Sequence, residues 1–332
     1  MTGPLVVVGD VLLDSDVAGR ADRRSPDAGV PVVDVDTRVW RPGGAGLAAL
    51  LAARDTTEVV LVGGFADDDA GRRLRRLLAG RVRVAALPLR GSTVCKQRVR
   101  AVGRCVPPVG DGAQSGPVSL LRIDSGDGRV GPDPLPDGLE AVFDSASAIL
   151  VADYGRGAAA HPEIREWLTL RGSDVPLVWD PHPRGPEPVP GATVVTPNRD
   201  EAAGWVSGGG DFGDRARELA RRWSARAVAV TLGAEGAVLY RSDAKISVPV
   251  PIPSQLRCGA GYDVCGAGDR FAAAAATALG AGEPIAAAIR FAVDSAARFV
   301  RSGAASALAV PPVRSEHGAA EPDTGRAALL SP

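Results

Sequence analysis

Short runs of apolar residues recur along the chain, and each is followed by glycine or by polar residues. Such runs span residues 5–8, 59–62 and 148–152. Because they are short and lack polar alternation, they are typical of parallel strands that are buried on both faces. Alanine-rich and amphipathic stretches at about 270–280 and 284–302 predict helices. Strands that alternate with helices predict a three-layer α/β fold, in which helices flank both faces of a mostly parallel sheet.

Three further segments have the alternating pattern of strands with one exposed face. They lie at residues 30–35, 93–102 and 119–124. Residues 106–117, between the last two segments, are rich in proline and glycine, which predicts a long loop. These strands do not fit the buried pattern of the others, so each is expected to have one exposed face.

The composition argues against several classes of function and location. Of 332 residues, 45% are hydrophobic and 23% are charged, and the formal net charge is −1, which argues against a nucleic-acid or membrane-surface role. No run of ~18 apolar residues is present, so no membrane span is expected. The first strand pattern begins at residue 5, which leaves no room for a signal peptide. The four cysteines lack metal-site spacing, so free thiols in a reducing cytoplasm are expected.

A glycine-rich turn, Gly266-Ala267-Gly268, precedes Asp269 and an alanine-rich helical stretch. Glycines let the backbone approach a ligand closely, and the first amides of a helix attract an anion. A carboxylate at such a place repels an anion, so Asp269 is unexpected there unless it takes part in a reaction. Phosphoryl transfer is such a reaction, since the amides stabilise the transferring group while Asp269 takes the proton of the attacking hydroxyl. The alternative is a helix start at which Asp269 is only an N-terminal cap.

Residues 263–269 resemble the C-terminal signature of the ribokinase-like (PfkB) sugar kinases, with Cys265 where the family usually has threonine or valine. Residues 24–33 are similar to the kinase domain of the bacterial heptose-phosphate kinases. The resemblance implies a phosphotransferase with an alcohol group as acceptor, and ATP and Mg²⁺ as cofactors. The substrate that it implies is D-glycero-β-D-manno-heptose 7-phosphate, which is converted at the anomeric hydroxyl to the 1,7-bisphosphate in ADP-heptose synthesis.

The resemblance also assigns roles to the residues that match the family's motifs. Asp269 is the expected catalytic base, and Gly266, Ala267 and Gly268 supply the amides for the phosphoryl group. The expected sugar and sugar-phosphate ligands lie at strand ends, in glycine turns or on exposed strands, and are Asp10, Asp14, Gly43, Gly44, Lys96, Arg98, Arg122 and Asp153. The expected nucleotide ligands lie in two later turns, and are Asn198, Glu201, Thr231, Gly233 and Gly236. Glu201 is expected to act on Mg²⁺ through water.

Residues 1–310 are expected to form one kinase domain. The resemblance places a small β-lid at about 15–40 and 90–124, and the exposed face of that lid implies a homodimer. Residues 311–332 are rich in proline, serine and glycine and are expected to be a disordered tail. Some relatives carry a fused adenylyltransferase domain, and here a separate adenylyltransferase is expected.

Several of these assignments have alternatives. Asn198 and Glu201 have the spacing of a capping box at a helix start, and cations on an exposed strand are often only solvated. Leu47 stands where the family has an asparagine that usually contacts the sugar. A ribokinase-like kinase for another sugar phosphate or a nucleoside therefore stays open. A catalytically silent nucleotide- or sugar-binding protein on the same scaffold is the alternative from another class.

Overall fold

The structure is a computed structural model that describes residues 3–106, 117–206, 210–259 and 262–308. Almost all of the loop expected at 106–117, and the whole of the tail expected at 311–332, lie outside the described residues. The strands are β1 (Leu5–Gly9), β2 (Val11–Arg24), β3 (Pro31–Gly44), β4 (Val59–Gly64), β5 (Arg83–Leu87), β6 (Cys95–Val102), β7 (Val118–Ser125), β8 (Ala148–Ala152), β9 (Leu177–Asp180), β10 (Val194–Val195), β11 (Ala227–Thr231), β12 (Ala237–Arg241) and β13 (Ile246–Val250). The α-helices are α1 (Ala45–Ala52), α2 (Asp69–Leu78), α3 (Leu139–Asp144), α4 (Pro162–Arg171), α5 (Arg199–Trp205), α6 (Phe212–Arg222), α7 (Ala267–Gly280) and α8 (Ile285–Arg301).

The larger sheet of the described residues has nine strands in the order β13-β12-β11-β10-β9-β8-β1-β4-β5. Neighbouring strands from β11 to β5 are parallel, and β12 and β13 add an antiparallel edge. Every residue of β1, β4 and β8 is buried. The continuous apolar runs of the sequence therefore correspond to central strands, which are covered on both faces.

Helices cover both faces of this sheet. Successive side chains of a strand point to opposite faces. In β1, Val7 packs in the core that includes α1, α2, α7 and α8, whereas Val6 and Val8 pack in the core that includes α3, α4, α5 and α6. The predicted three-layer fold is confirmed.

Four strands form a second sheet in the order β3-β2-β6-β7, which we call the lid sheet. Strand β2 follows β1 after the single residue Asp10, and β3 runs directly into α1. The lid sheet is therefore attached at the carboxyl end of β1, which is the edge where open α/β sheets bind ligands. The small second sheet that the resemblance implied is present.

Helix α7 belongs both to the core and to the candidate site. Its alanines from Ala272 to Ala276 are buried, and their small side chains let α1 and α8 pack closely against it. Its first turn carries Asp269. None of the described helices combines the length and the apolar character that are needed to cross a bilayer.

Candidate active site

Asp269 lies in the first turn of α7 and is only 7% exposed. Burial raises the pKa of its carboxyl to about 6, against the lowering effect of a hydrogen bond from the Tyr154 hydroxyl to Oδ1 at 2.8 Å. Burial and the neighbouring charge of Asp269 raise the pKa of Tyr154 well above its usual range, so this hydroxyl stays a donor. A carboxyl group that titrates near neutrality and is held by a fixed donor suits a general base.

The glycine turn before α7 is shaped by close packing and by one unusual backbone angle. Gly266 is the N-cap of the helix and has φ 80°. A Cβ at Gly266 would lie 2.8 Å from Cδ2 of Leu47, which is itself 2% exposed. The only residue type that combines this backbone with this close approach is glycine. The side chain of Leu47 therefore packs directly against the turn.

The amides of this turn are not equivalent. The N–H of Ala267 donates to the carbonyl of Val264 at 3.1 Å, so it is engaged inside the turn. A Cβ at Gly268 would meet no atom within 4 Å, so open space lies in front of this residue. Gly268 and the helix N-terminus therefore have the better geometry for an anion, and the role of the Ala267 amide stays a prediction.

Asp14 on β2 is a buried carboxylate with a free acceptor. It is 6% exposed, and its Oδ1 has no hydrogen-bond partner in the described part of the chain. A Cβ at Gly43 would lie 2.9 Å from this carboxylate, which explains the glycine there. The charge of Asp14 contributes to the raised pKa of Asp269, so the two carboxylates face one site. An unpartnered acceptor beside the candidate base suits a sugar hydroxyl.

Of the three cations predicted on the lid sheet, two face the site. The ammonium of Lys96 lies 5.2 Å from the centre of the Tyr154 ring, and burial lowers its pKa although Asp14 and Asp269 act in the opposite direction. Nη1 of Arg98 lies 3.1 Å from Sγ of Cys265. Arg122 is instead paired with Asp124 on its own strand, at 2.7 Å, with half of its side chain exposed. Lys96 and Arg98 therefore have the better geometry for a bound phosphate.

Two predicted sugar ligands bind backbone amides inside the protein. Asp10 is 3% exposed, and its carboxylate accepts the backbone N–H groups of Tyr154, Arg156 and Ala158 at 3.0, 2.7 and 3.1 Å. It thereby fixes the turn that carries Tyr154. Asp153 is also 3% exposed and accepts the N–H of Gly155 at 2.8 Å, whereas its Oδ2 has no hydrogen-bond partner among the described residues. Burial raises the pKa of Asp153 to about 7. Direct sugar contact by these two carboxylates stays a prediction.

A cavity of about 360 Å³ extends from the glycine turn along α8. The predicted nucleotide residues Thr231, Gly233 and Gly236 line it together with Gly268. Its other walls are largely apolar and include Ile252, Leu256, Tyr262, Val293, Ala296 and Val300. Such a cavity, apolar with glycine amides and a helix N-terminus at one end, suits a nucleoside with an attached phosphate chain.

Asn198 and Glu201 form the capping box that the sequence left open as an alternative. Oδ1 of Asn198 accepts the N–H of Glu201 at 3.0 Å, and the Glu201 carboxylate accepts the N–H of Asn198 at 2.8 Å. An isolated β-bridge joins Asn198 to Thr231. The pair therefore forms a helix start beside the cavity that Thr231 lines.

Acidic side chains near this helix start allow a test of the fit for Mg²⁺. Asp180, whose carboxyl accepts the Thr196 hydroxyl at 2.8 Å, has a pKa raised well above its usual range by burial and then by the charges of Glu201 and Asp269. Within the described ranges, no group of three or more acidic, histidine or cysteine residues could hold a metal alone. The negative charge fits a Mg²⁺ ion whose remaining ligands are waters and phosphate oxygens.

Sequence reasoning missed three residues of this site. Tyr154 lies two residues after β8, Asp180 is the last residue of β9, and Arg41 lies on the lid strand that enters α1. Arg41 is 2% exposed, forms an ion pair with Asp16, and lies 3.9 Å from both Oδ2 of Asp14 and Sγ of Cys265. The signal for the first two was their position at carboxyl ends of strands. No pattern in the sequence indicated that Arg41 would be buried.

Comparisons with known proteins agree with this geometry. Residues 170–311 match the family described as pfkB family carbohydrate kinase. The "Bifunctional protein HldE" of Streptomyces coelicolor is 46% identical over 329 residues, which are 97% of this chain and 65% of that protein. The protein of the same name from Vibrio vulnificus is 30% identical, with the same coverage of both chains. The chain thus spans 65% of the length of these relatives.

Solved structures establish the fold. The ribokinase of Arabidopsis thaliana, complexed with ribose and ATP, has a TM-score of 0.66 at 20% identity and covers 92% of this chain and 95% of its own. Phosphofructokinase-2 from Escherichia coli, in complex with substrates and products, has a TM-score of 0.64 at 16% identity, with coverage of 90% and 93%. The fold is therefore ribokinase-like, as the sequence predicted.

Proposed function

We propose that the chain is a carbohydrate kinase of the pfkB family, which the matches to that family and to its relatives support, and that it transfers the γ-phosphoryl group of ATP to a hydroxyl of a sugar phosphate. Asp269 carries the proposal. It is a buried carboxyl with a pKa of about 6, and it directly follows a glycine that lines a nucleotide-sized cavity. A cap at a helix start needs neither the burial nor the raised pKa, and a protein that only binds nucleotides needs no buried carboxyl beside the cavity.

The proposed reaction uses the residues in distinct tasks. The nucleoside occupies the apolar cavity, so that its phosphate chain ends at Gly268. Asp14 accepts a hydrogen bond from the sugar, and Asp269 takes the proton of the attacking hydroxyl as the new P–O bond forms. The bond between the γ-phosphorus and the β,γ-bridging oxygen breaks in the same step, and ADP leaves. Tyr154 keeps the Asp269 carboxylate in place through its hydrogen bond. The Gly268 amide and the N-terminus of α7 stabilise the negative charge of the transferring group.

A bound Mg²⁺ ion would neutralise charge on the phosphate oxygens of ATP. Asp180 and Glu201 are the residues that we propose to hold it, mainly through waters, since the carboxylate of Glu201 already accepts an N–H of the capping box. Glu201 was the Mg²⁺ residue predicted from the sequence, and this proposal adds Asp180 to it.

We propose D-glycero-β-D-manno-heptose 7-phosphate as the acceptor, with transfer to its anomeric hydroxyl. The support is the resemblance at residues 24–33 and the 46% identity to a relative named as bifunctional. Lys96 and Arg98 would bind the phosphate at the far end of the sugar, because both are half-buried cations near Asp14, and Lys96 is also near Asp269. The product would then be the substrate of an adenylyltransferase.

A different sugar phosphate is the second candidate acceptor. The observation that favours it is Leu47, whose side chain packs under Gly266 and offers no polar group to a sugar. The same fold, base and nucleotide cavity would serve this reaction. The two candidates differ only in the acceptor.

We also propose that the lid sheet forms a homodimer. Val35, Leu121 and Ile123 lie on its strands and are 53%, 55% and 44% exposed, so part of its outer face is apolar. Size-exclusion chromatography with light scattering tests the dimer, and Leu121→Lys is expected to yield monomers. An unchanged dimer in this variant contradicts the proposed surface.

We also propose a cytoplasmic location, which fits an ATP-consuming reaction and the four free thiols.

The function is tested by measuring ADP release from MgATP with four acceptors: the heptose 7-phosphate, fructose 6-phosphate, ribose and adenosine. Turnover with the heptose phosphate alone supports the proposed substrate. Turnover with another acceptor keeps the kinase and discards that substrate. ATP binding without ADP release for any acceptor contradicts the proposed function and supports a silent binding protein.

A further inference from the structure

A second cavity, of about 430 Å³, lies between α8, α7 and the turn after α1. Its lining comprises Arg54, Asp55, Arg270, Phe291, Asp294, Ser295, Arg298, Phe299 and Ser302. It shares no lining residue with the nucleotide cavity, because the two cavities lie against different faces of α8. The proposed kinase reaction uses none of these side chains.

One of the three arginines in this cavity is already neutralised. Arg270 is 8% exposed and makes two hydrogen bonds to the Asp55 carboxylate, at 2.5 and 3.0 Å, and one to the Leu51 carbonyl at 3.1 Å. Its side chain thus points away from the site of Asp269, although the two residues are adjacent. This bidentate pair fixes one wall of the cavity and cancels one positive charge.

The other two arginines have no such partner. Among the described residues, neither Arg54 nor Arg298 makes a side-chain hydrogen bond or an ion pair. Asp294 also lines the cavity, but it lies beyond ion-pair distance of both. Burial and the charge of Arg270 lower the pKa of Arg54, and the charge of Asp55 acts in the opposite direction. Two exposed guanidinium groups without an ion-pair partner at one cavity are suited to a dianion.

The wall beside these arginines combines aromatic and polar side chains. Phe291 is 44% exposed, and Phe291, Ser295, Arg298 and Ser302 lie on one face of α8 and its C-terminal turn. The cavity volume is within the range of small-molecule sites. We propose that this cavity binds a small phosphorylated ligand, with Arg54 and Arg298 as the contacts to its phosphate and Phe291 as a wall for its apolar part. This site goes beyond the proposed kinase function.

The probe for the test is inorganic phosphate, titrated into the nucleotide-free protein by isothermal titration calorimetry at low ionic strength. The double variant Arg54→Gln/Arg298→Gln is expected to bind phosphate at least tenfold more weakly at this site. The matched control is Arg290→Gln, since Arg290 is an exposed arginine of the same helix that does not line the cavity. It is expected to bind as the wild type does. Neither arginine of the double variant has a partner to lose, so it is expected to retain the wild-type melting temperature.

A second variant separates this cavity from the kinase site. Lys96→Gln/Arg98→Gln removes the cations that face Asp14, and it is expected to leave phosphate binding at the second cavity unchanged. The proposal is overturned if wild-type protein binds no phosphate at millimolar concentration. It is equally overturned if only the Lys96/Arg98 variant loses binding, because phosphate then occupies the kinase site. Neither readout needs turnover, so loss of the proposed kinase activity would leave the inference standing.

Discussion

Tyr154→Phe removes the hydroxyl that donates to Oδ1 of Asp269 at 2.8 Å and leaves the ring in place. This hydrogen bond stabilises the ionised form of Asp269, so it lowers a pKa that burial raises to about 6. Its loss therefore raises the pKa of Asp269. Less of the base is ionised at a given acidic pH, and the acid limb of the rate profile shifts to higher pH.

The size of the shift follows from the energy of the bond. A hydrogen bond to a charged group contributes about 1.5–3 kcal/mol, and one pKa unit corresponds to about 1.4 kcal/mol. The lower value applies if water replaces the hydroxyl, so the pKa of Asp269 rises by about one unit, from about 6 to about 7. At pH 6 the ionised fraction then falls from about one half to about one tenth, and at pH 8 it stays near nine tenths or more.

The assay is kcat/KM for the sugar acceptor between pH 5 and pH 9, measured by ADP release at saturating MgATP. We expect a roughly fivefold lower value for Tyr154→Phe at pH 6 and a value within about twofold of wild type at pH 8. Tyr240→Phe is the matched control, because Tyr240 is buried in β12 and does not line the cavity. An acid limb that stays in place, or that moves to lower pH, refutes the proposed coupling between Tyr154 and Asp269.

Three other predictions concern binding and stability. Lys96→Gln and Arg98→Gln are each expected to raise the KM of a phosphorylated acceptor by about tenfold or more and to leave the KM of ATP nearly unchanged in steady-state kinetics, since charge-assisted bonds to phosphate are lost. The folded-state pKa of Asp153, about 7, exceeds its unfolded value, so stability falls as the pH rises from about 4 to about 7. Asp153→Asn is expected to reduce the difference between the unfolding free energies at pH 5 and pH 8 by about 2–3 kcal/mol. Arg270→Met is expected to destabilise the protein by about 2–4 kcal/mol in denaturant unfolding, because Asp55 loses its partner, and Asp55→Asn in addition is expected to restore part of this loss.

Each of these predictions has an opposing result. Equal rises in both KM values for Lys96→Gln would place this lysine at a step that is common to both substrates. A pH dependence that persists in Asp153→Asn would assign it to another group. A double variant at Arg270 and Asp55 that is no more stable than Arg270→Met alone would show that the pair contributes through packing and not through charge.

Most of the fold was predictable because the central strands carry a local signal. Residues of β1, β4 and β8 are buried on both sides, so each strand is a continuous apolar run that can be recognised without its neighbours. The pairing of β2 with β6 was not available in this way. It joins segments about 80 residues apart, and the alternation in each segment does not specify which strand it pairs with.

The candidate site was predictable where a backbone conformation demanded a residue type. Gly266, Gly43 and Gly233 mark places where the chain turns sharply or touches a carboxylate, and such glycines are visible in a sequence. The tasks of Asp10 and Asp153 were not visible, since a carboxylate at a strand end has the same pattern whether it binds sugar or backbone amides. The buried position of Arg41 and the link between Tyr154 and Asp269 depend on three-dimensional packing alone.

We propose that Asp269 is the base of a phosphoryl transfer to a sugar phosphate. The most direct measurement is ADP formation from MgATP and D-glycero-β-D-manno-heptose 7-phosphate by the wild type and by Asp269→Asn, with ATP binding measured alongside. We predict that the variant binds ATP as the wild type does but turns over about 10²–10⁴-fold more slowly. A variant rate close to that of the wild type would contradict the account.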